Sequence, residues 1–326
     1  MRRWEKWLPQ AAAAILTASG MTATLTATEP AALPSVTVPA SHYVVPSGGN
    51  DAADAQGYRS GCTDGRAGVP GLRVLFFGTQ EKDGRIRPPG TSVSTPAVRV
   101  DDDWVVSAAA GWIRGFTQCG QTNAVLALGV NNKSDGGADP AKAGAAWATL
   151  VNKVASAAPV TRVTVTGALD GEPSWSKSNW ARGWVDAYVG GTRKLLYAAN
   201  SADGCPQSGP GEACSNGWTL ADVHHVSTGA ASTVVALPQI YRTDGVQAKQ
   251  WANISSWGAR TGAGPLRVVG AMSQQAACRQ QAGCSRTDNS PAQARDQLAQ
   301  ALAAVGTSRP RLVVTDMDWL RDSDPR

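Results

Sequence analysis

The stretch that decides the fold is Thr161–Trp175, TRVTVTGALDGEPSW. Val163 and Val165 alternate with Thr164 and Thr166, a β-branched pattern suited to a strand. The run then turns small and carries two carboxylates, Asp170 and Glu172. Strand side chains alternate, so residues two apart share a face, roughly 6–7 Å apart along the backbone. Asp170 and Glu172 therefore point the same way, and Pro173 closes the strand behind them. A carboxylate pair at the C-terminal end of a strand, ahead of a helix, is where α/β barrels place catalytic acids. The plainer alternative is a pair that caps the following helix.

Working outward, short apolar runs alternate with amphipathic segments from Gly71 onward. Strands are expected at 73–78, 124–130, 195–200, 222–228, 234–241, 266–272 and 311–319, beside the one in the opening stretch. Helices are expected at 100–119, 139–157, around Trp180, Trp184 and Tyr188, at 245–261 and at 290–305. Strands separated by helices imply parallel βαβ units. Eight units over roughly 250 residues match a single-domain (β/α)8 TIM-like barrel, here spanning 71–322. A doubly wound open sheet is the alternative if 222–228 is not a strand. No Gly-x-Gly-x-x-Gly follows the first strand and no Walker loop is present, so no nucleotide cofactor is expected.

A barrel builds its site at the strand ends, which here are polar while the preceding residues are apolar. The candidates are Thr79 and Gln80, Asn131 and Asn132, Asp170 and Glu172, Asn200, Ser227 and Thr228, Gln239 and Tyr241, Ser273 and Gln274, and Asp316, Asp318 and Trp319. Amides beside carboxylates suit sugar hydroxyls better than phosphate or metal. Trp175, Trp218, Tyr241 and Trp319 could stack on sugar faces. Glycoside cleavage needs one protonated and one ionised carboxyl. Glu172 beside Asp170 fits the protonated role, with Asp170, Asp316 or Asp318 as the ionised partner.

Residues 1–31 have a basic head (Arg2, Arg3, Lys6), a modestly apolar middle and a small-residue end, the form of a secretory signal. Residues 32–70, rich in Pro, Gly, Ser and Ala, are expected to be an extended lead-in. The chain has six cysteines: Cys62, Cys119, Cys205, Cys214, Cys278 and Cys284. The close pairs 205/214 and 278/284 sit in loop-like sequence and suit disulfides, leaving Cys62 with Cys119, although sequence does not fix connectivity. No Cys-x-x-Cys occurs, the three histidines lie apart from the cysteines, and Lys133 sits at a ligand position of the NNKSDGG loop, so no metal is expected. The net charge of +5 is scattered, with Arg85 and Arg87 the densest group, read as solvated surface. This excludes a nucleic-acid patch. No other apolar run approaches the ~20 residues of a membrane span. A secreted monomer whose partner is a carbohydrate or cell-wall polymer is the expectation.

The segments GLRVLFFGTQEKDGRIRPPGT, LALGVNNKSDGG, GALDGEPSW, AANSADGC, ALPQIYRTDGVQAKQW and GCSRTDNSPAQA resemble a secreted bacterial family with glycoside-hydrolase-like barrels and no settled activity. The resemblance covers most of 71–319. More remotely, Asp170-x-Glu172 is similar to the Asp-x-Glu of lysozyme-type glycoside hydrolases of family 25. That resemblance implies Glu172 as general acid and Asp170 as its electrostatic partner. The chain departs from it at the first strand read here, where Gly78, Thr79 and Gln80 stand in place of an aspartate. It departs from the chitinase pattern at Val165 and Ala168. A non-catalytic carbohydrate-binding barrel is the competing expectation.

Overall fold

The structure, a computed structural model, describes residues 37–158, 162–309 and 311–321. Chain order is β1 (Ala40–Val44), α1 (Asn50–Ala67), β2 (Gly71–Gln80), a short β3 (Ile86–Arg87), α2 (Asp102–Cys119), β4 (Ala124–Asn131), α3 (Pro140–Ala157) and β5 (Val163–Asp170). There follow α4 (Ser178–Gly191), β6 (Leu196–Asn200), α5 (Leu220–His224, continued by a π turn to Gly229), β7 (Val234–Pro238), α6 (Val246–Thr261), β8 (Gly270–Ser273), α7 (Gln275–Gln280), α8 (Pro291–Ala304) and β9 (Val313–Leu320).

Eight of these strands pair in parallel in the order β7-β6-β5-β4-β2-β1-β9-β8, and β3 is an antiparallel arm on β2. Parallel bridges Ala236↔Val268 and Gln239↔Met272 join β7 to β8 and close the ring. The barrel interior is filled by Leu72, Val74 and Phe76 with Ala127, Ala168, Tyr197, Ala199, Leu237, Met272 and Met317. The opposite strand faces pack under the helices in a second, larger core.

Two expectations are corrected. Residues 40–67, assigned to an extended lead-in, form β1 and α1, so the barrel begins at Ala40. The segment 222–228 is helical: Thr219 and Asp222 form a capping box, and Leu220, Val223 and Val226 are buried at three-residue spacing. Losing that strand does not open the sheet, because β1 pairs with β2 and β9 and supplies the eighth member. The expected leader, residues 1–31, lies outside the described residues.

α1 reads like a linker because Gly57, Gly61 and Gly65 recur every four residues, and glycine is a poor helix former. Packing explains them. A Cβ at Gly61 would sit 2.0 Å from Trp112 O, and one at Gly57 2.1 Å from Ala108 O. Across the contact, Cβ atoms at Gly111 and Gly115 would lie 2.1 Å from Asp54 O and 2.2 Å from Tyr58 O. The helices meet backbone to backbone, and the Cys62–Cys119 disulfide ties them. The other two disulfides join Cys205 to Cys214 and Cys278 to Cys284.

Most tryptophans belong to this packing. Trp147 Nε1 donates to Leu128 O at 2.9 Å, and Trp184 Nε1 to Gln80 Oε1 at 2.8 Å. Arg87 is also inside rather than on a solvated surface, paired with Glu81 at 2.9 Å and with Asp135. Among the described residues, no helix is long and apolar enough to cross a membrane.

Candidate functional site

Side-chain parity decides what reaches the C-terminal mouth of the barrel. Ala127, Ala168 and Leu237 face inward, so Asn131, Asp170 and Gln239, at even spacing beyond them, face inward too. On β2 alternation alone would turn Thr79 outward. A register shift between Phe76 and Thr79 inserts one extra residue, and Thr79 Oγ1 donates to Asn131 Oδ1 at 2.8 Å. Tyr43 of β1 and Trp319 of β9 are register partners, with ring centroids 4.8 Å apart.

Asp170 and Glu172 are 4% and 5% exposed, enough to make ionisation of both costly. Gln239 Nε2 donates to Asp170 Oδ1 at 2.7 Å. Glu172 accepts from Ser201 N at 2.8 Å and from Ser201 Oγ at 2.5 Å. Burial pushes the Asp170 carboxyl above the ordinary range, opposed by the Gln239 hydrogen bond and the Lys133 charge. Burial also raises Glu172, and there the Asp170 charge adds to it, opposed by the Ser201 donors. The two sites interact as a pair. Of the two, Asp170 has the nearby cation, Lys133, which favours the ionised form there.

Above the pair, Tyr43, Asn131, Lys133, Trp175, Gln274 and Trp319 contribute to the lining of a pocket of about 290 Å³. Lys133 Nζ lies 5.0 Å from the Trp175 ring centroid. Pro89 and Gly90 close one side; a Cβ on Gly90 would fall 2.9 Å from Trp319 Cη2. Tyr241 is 8% exposed in the inner layer, with its phenol against that of Tyr43.

Of the residues expected from sequence, the mouth brings together Asp170, Glu172, Asn131, Trp175, Gln239, Tyr241, Gln274 and Trp319. It does not include Asp316 or Asp318. Met317 and Trp319 take the inner face of β9, so both aspartates turn outward. Asp316 accepts from Ser273 Oγ at 2.7 Å and from the backbone N–H groups of Gln275 and Ala276, capping α7. Asp318 pairs with His42, which also faces Asp64 at 3.5 Å and Ser60 at 3.3 Å under α1. Burial alone would lower the His42 pKa, but Asp318 and Asp64 raise it to about 9.

Asn132 is scaffold: its Nδ2 donates to Glu172 O at 2.9 Å and Ser176 Oγ at 2.8 Å, fixing the loop that carries the acid. Asn200 has the opposite parity to Tyr197 and Ala199 and accepts from Ala202 N. Trp218 is fully buried, donating to Ser176 O. Ser227 and Thr228 belong to the π turn. The sequence reading missed Tyr43, Lys133 and Ser201. Tyr43 had a signal, the apolar run YVVP after Ser41-His42; Ser201 had only its place one residue beyond a strand end. The ligand atoms of Cys278, Cys284 and Asp288 lie within 4.8 Å of one another, but both sulfurs are committed to a disulfide, which is no thiolate donor set.

Eight parallel strands closed into a ring, with polar side chains gathered at one mouth, define a (β/α)8 TIM-like barrel. No family profile and no curated protein matches the chain. Among solved structures, a ternary complex of fructose-bisphosphate aldolase from Plasmodium falciparum with TRAP and a small-molecule inhibitor aligns over 84% of this chain and 93% of that one. The TM-score is 0.36 at 11% identity, a likeness that carries no argument; the barrel assignment rests on the strand pairing.

Proposed function

We propose that the barrel mouth binds a carbohydrate polymer and hydrolyses a glycosidic bond, with Glu172 as general acid and Asp170 as the ionised partner. The observation that carries this reading is the buried Asp170/Glu172 pair beneath an aromatic-walled pocket. Such a pair shares a proton near neutrality, as acid-catalysed glycoside cleavage requires. When Glu172 is protonated, the Ser201 hydroxyl can turn to accept its proton, holding the acid in one orientation. Trp175 and Trp319 offer faces to sugar rings. The three disulfides are compatible with an oxidising compartment, which supports placing the chain outside the cytoplasm.

A non-catalytic carbohydrate-binding barrel is the second reading. It is favoured by one observation: neither carboxyl lines the open pocket. The test is reducing-end release from peptidoglycan, chitin and plant and bacterial glucans by the oxidised protein, with Glu172→Gln alongside. The enzyme reading expects release that drops by roughly 10²–10⁴-fold in the variant. No release, together with retention of one polymer by both proteins, refutes catalysis and leaves the binding barrel.

A further inference from the structure

We propose that the mouth pocket selects a sugar bearing a carboxylate, held through Lys133. This rests on the carbohydrate reading and narrows it. Among the residues lining the pocket, Lys133 alone is charged. An ammonium has three donors. Among the described residues this one has a long contact to Thr91 O at 3.4 Å and the face of Trp175, and no carboxylate within ion-pair distance. Three arginines around the strand ends are neutralised: Arg87 and Arg99 by Glu81 and Asp135, and Arg242 by Asp244. The exposed Arg321, 5.4 Å from the Trp319 ring centroid, adds positive field.

The remaining lining is aromatic or neutral, so the pocket presents a ring-stacking face with one cation at its edge. That pattern suits a pyranose with a single carboxylate in or beside the ring. It does not suit a phosphate, for which the lining offers neither a second cation nor an arginine fork. The carboxyl pair below does not oppose the ligand with two charges, because it retains a proton near neutrality.

The test is calorimetric titration at neutral pH and low salt. The probes are oligohexuronates, a sialyl-oligosaccharide and lactyl-bearing glycan strands, each beside its carboxyl-reduced counterpart. At least one acidic member should bind roughly 10- to 100-fold more tightly than its neutral form. That ratio should fall towards one in Lys133→Met, persist in Lys133→Arg, and shrink as salt rises. Circular dichroism confirms that the variants fold. Equal binding of acidic and neutral forms, or a ratio that survives Lys133→Met, overturns the carboxylate inference while carbohydrate binding stands. No binding by any acidic or neutral probe, nor by the polymers of the release panel, overturns both.

Discussion

Replacing Glu172 by glutamine should make the protein more stable in a pH-dependent way while removing its proposed acid. The folded carboxyl titrates above the unfolded one because burial and Asp170 disfavour its charge. Between the ordinary carboxylate range and that raised pKa the native state binds more protons than the unfolded state. Stability therefore falls as pH rises through the interval and levels off above it. The carboxyl is pushed from 4.5 up to about 8, a difference that costs the wild type a few kcal/mol, about 1.4 kcal/mol for each tenfold change in proton affinity, at alkaline pH. Glutamine is isosteric and carries no such cost. Its Oε1 can accept from Ser201 N, while its Nε2 can donate to Ser201 Oγ, so the Ser201 contacts survive. Urea denaturation from pH 4 to 9, with disulfides intact, should show the variant close to wild type at pH 4 and a few kcal/mol more stable at pH 9. A difference that does not change with pH, or a less stable variant at pH 9, would refute the claim that this carboxyl is held protonated by its surroundings.

Other expectations follow from the same geometry. His42 has its folded pKa raised from 6.5 to about 9; its contribution is fully present below the unfolded value and lost as pH rises through the folded one. The melting temperature should decline across that window, and a His42→Gln variant should lose this part of the decline. Gly61→Ala forces a methyl to 2.0 Å from Trp112 O and should cost about 3 kcal/mol or more in chemical denaturation. Gly190→Ala, with nothing within 4 Å, should be neutral or stabilising by up to about 1 kcal/mol. The Cys62–Cys119 bridge spans 57 residues and the Cys278–Cys284 bridge 6. Replacing each pair by serine should cost about 4 and about 2 kcal/mol respectively, and the order of melting temperatures checks it.

The alternation of strand and helix was legible because the apolar runs are short and the helices amphipathic. Asp101 and Asp139, each one residue before a helix, cap α2 and α3 through Trp104 N and Lys142 N. What misled was composition standing in for structure. The glycines of α1 reflect a helix pressed against another backbone, which a single sequence does not distinguish from a linker. The run DVHHVST contains enough β-branched residues to pass for a strand, and Leu220, the residue that sets its three-residue spacing, precedes it. The count of eight strands came out right through two compensating misreadings, with β1 taking the place of 222–228.

The difference between the acids on β5 and those on β9 turns on which face of the strand is inner, and hydrophobicity alone does not give that. In TDMDWL both parities contain large apolar residues, so Asp316 and Asp318 could equally face the lumen or the helices. On β5 the two faces differ in size: Val163, Val165 and Leu169 on one, Thr166, Ala168 and Asp170 on the other. The helix-facing side takes the larger residues. The inner side of β4 and β5 takes Ala127, Gly129 and Ala168, leaving lumen space beside them for a ring from an adjacent strand. A Cβ on Gly129 would fall 2.5 Å from Phe76 Cδ1, so the Phe76 ring occupies that space. Small residues on β4 and β5 admit the Phe76 ring from the neighbouring strand β2, and the same parity carries Asp170 to the mouth beneath Tyr43 and Tyr241. The charge of that carboxyl bears on both phenols, raising their pKa values along with burial. The steric asymmetry that fills the barrel is therefore also what delivers an acid to its open end.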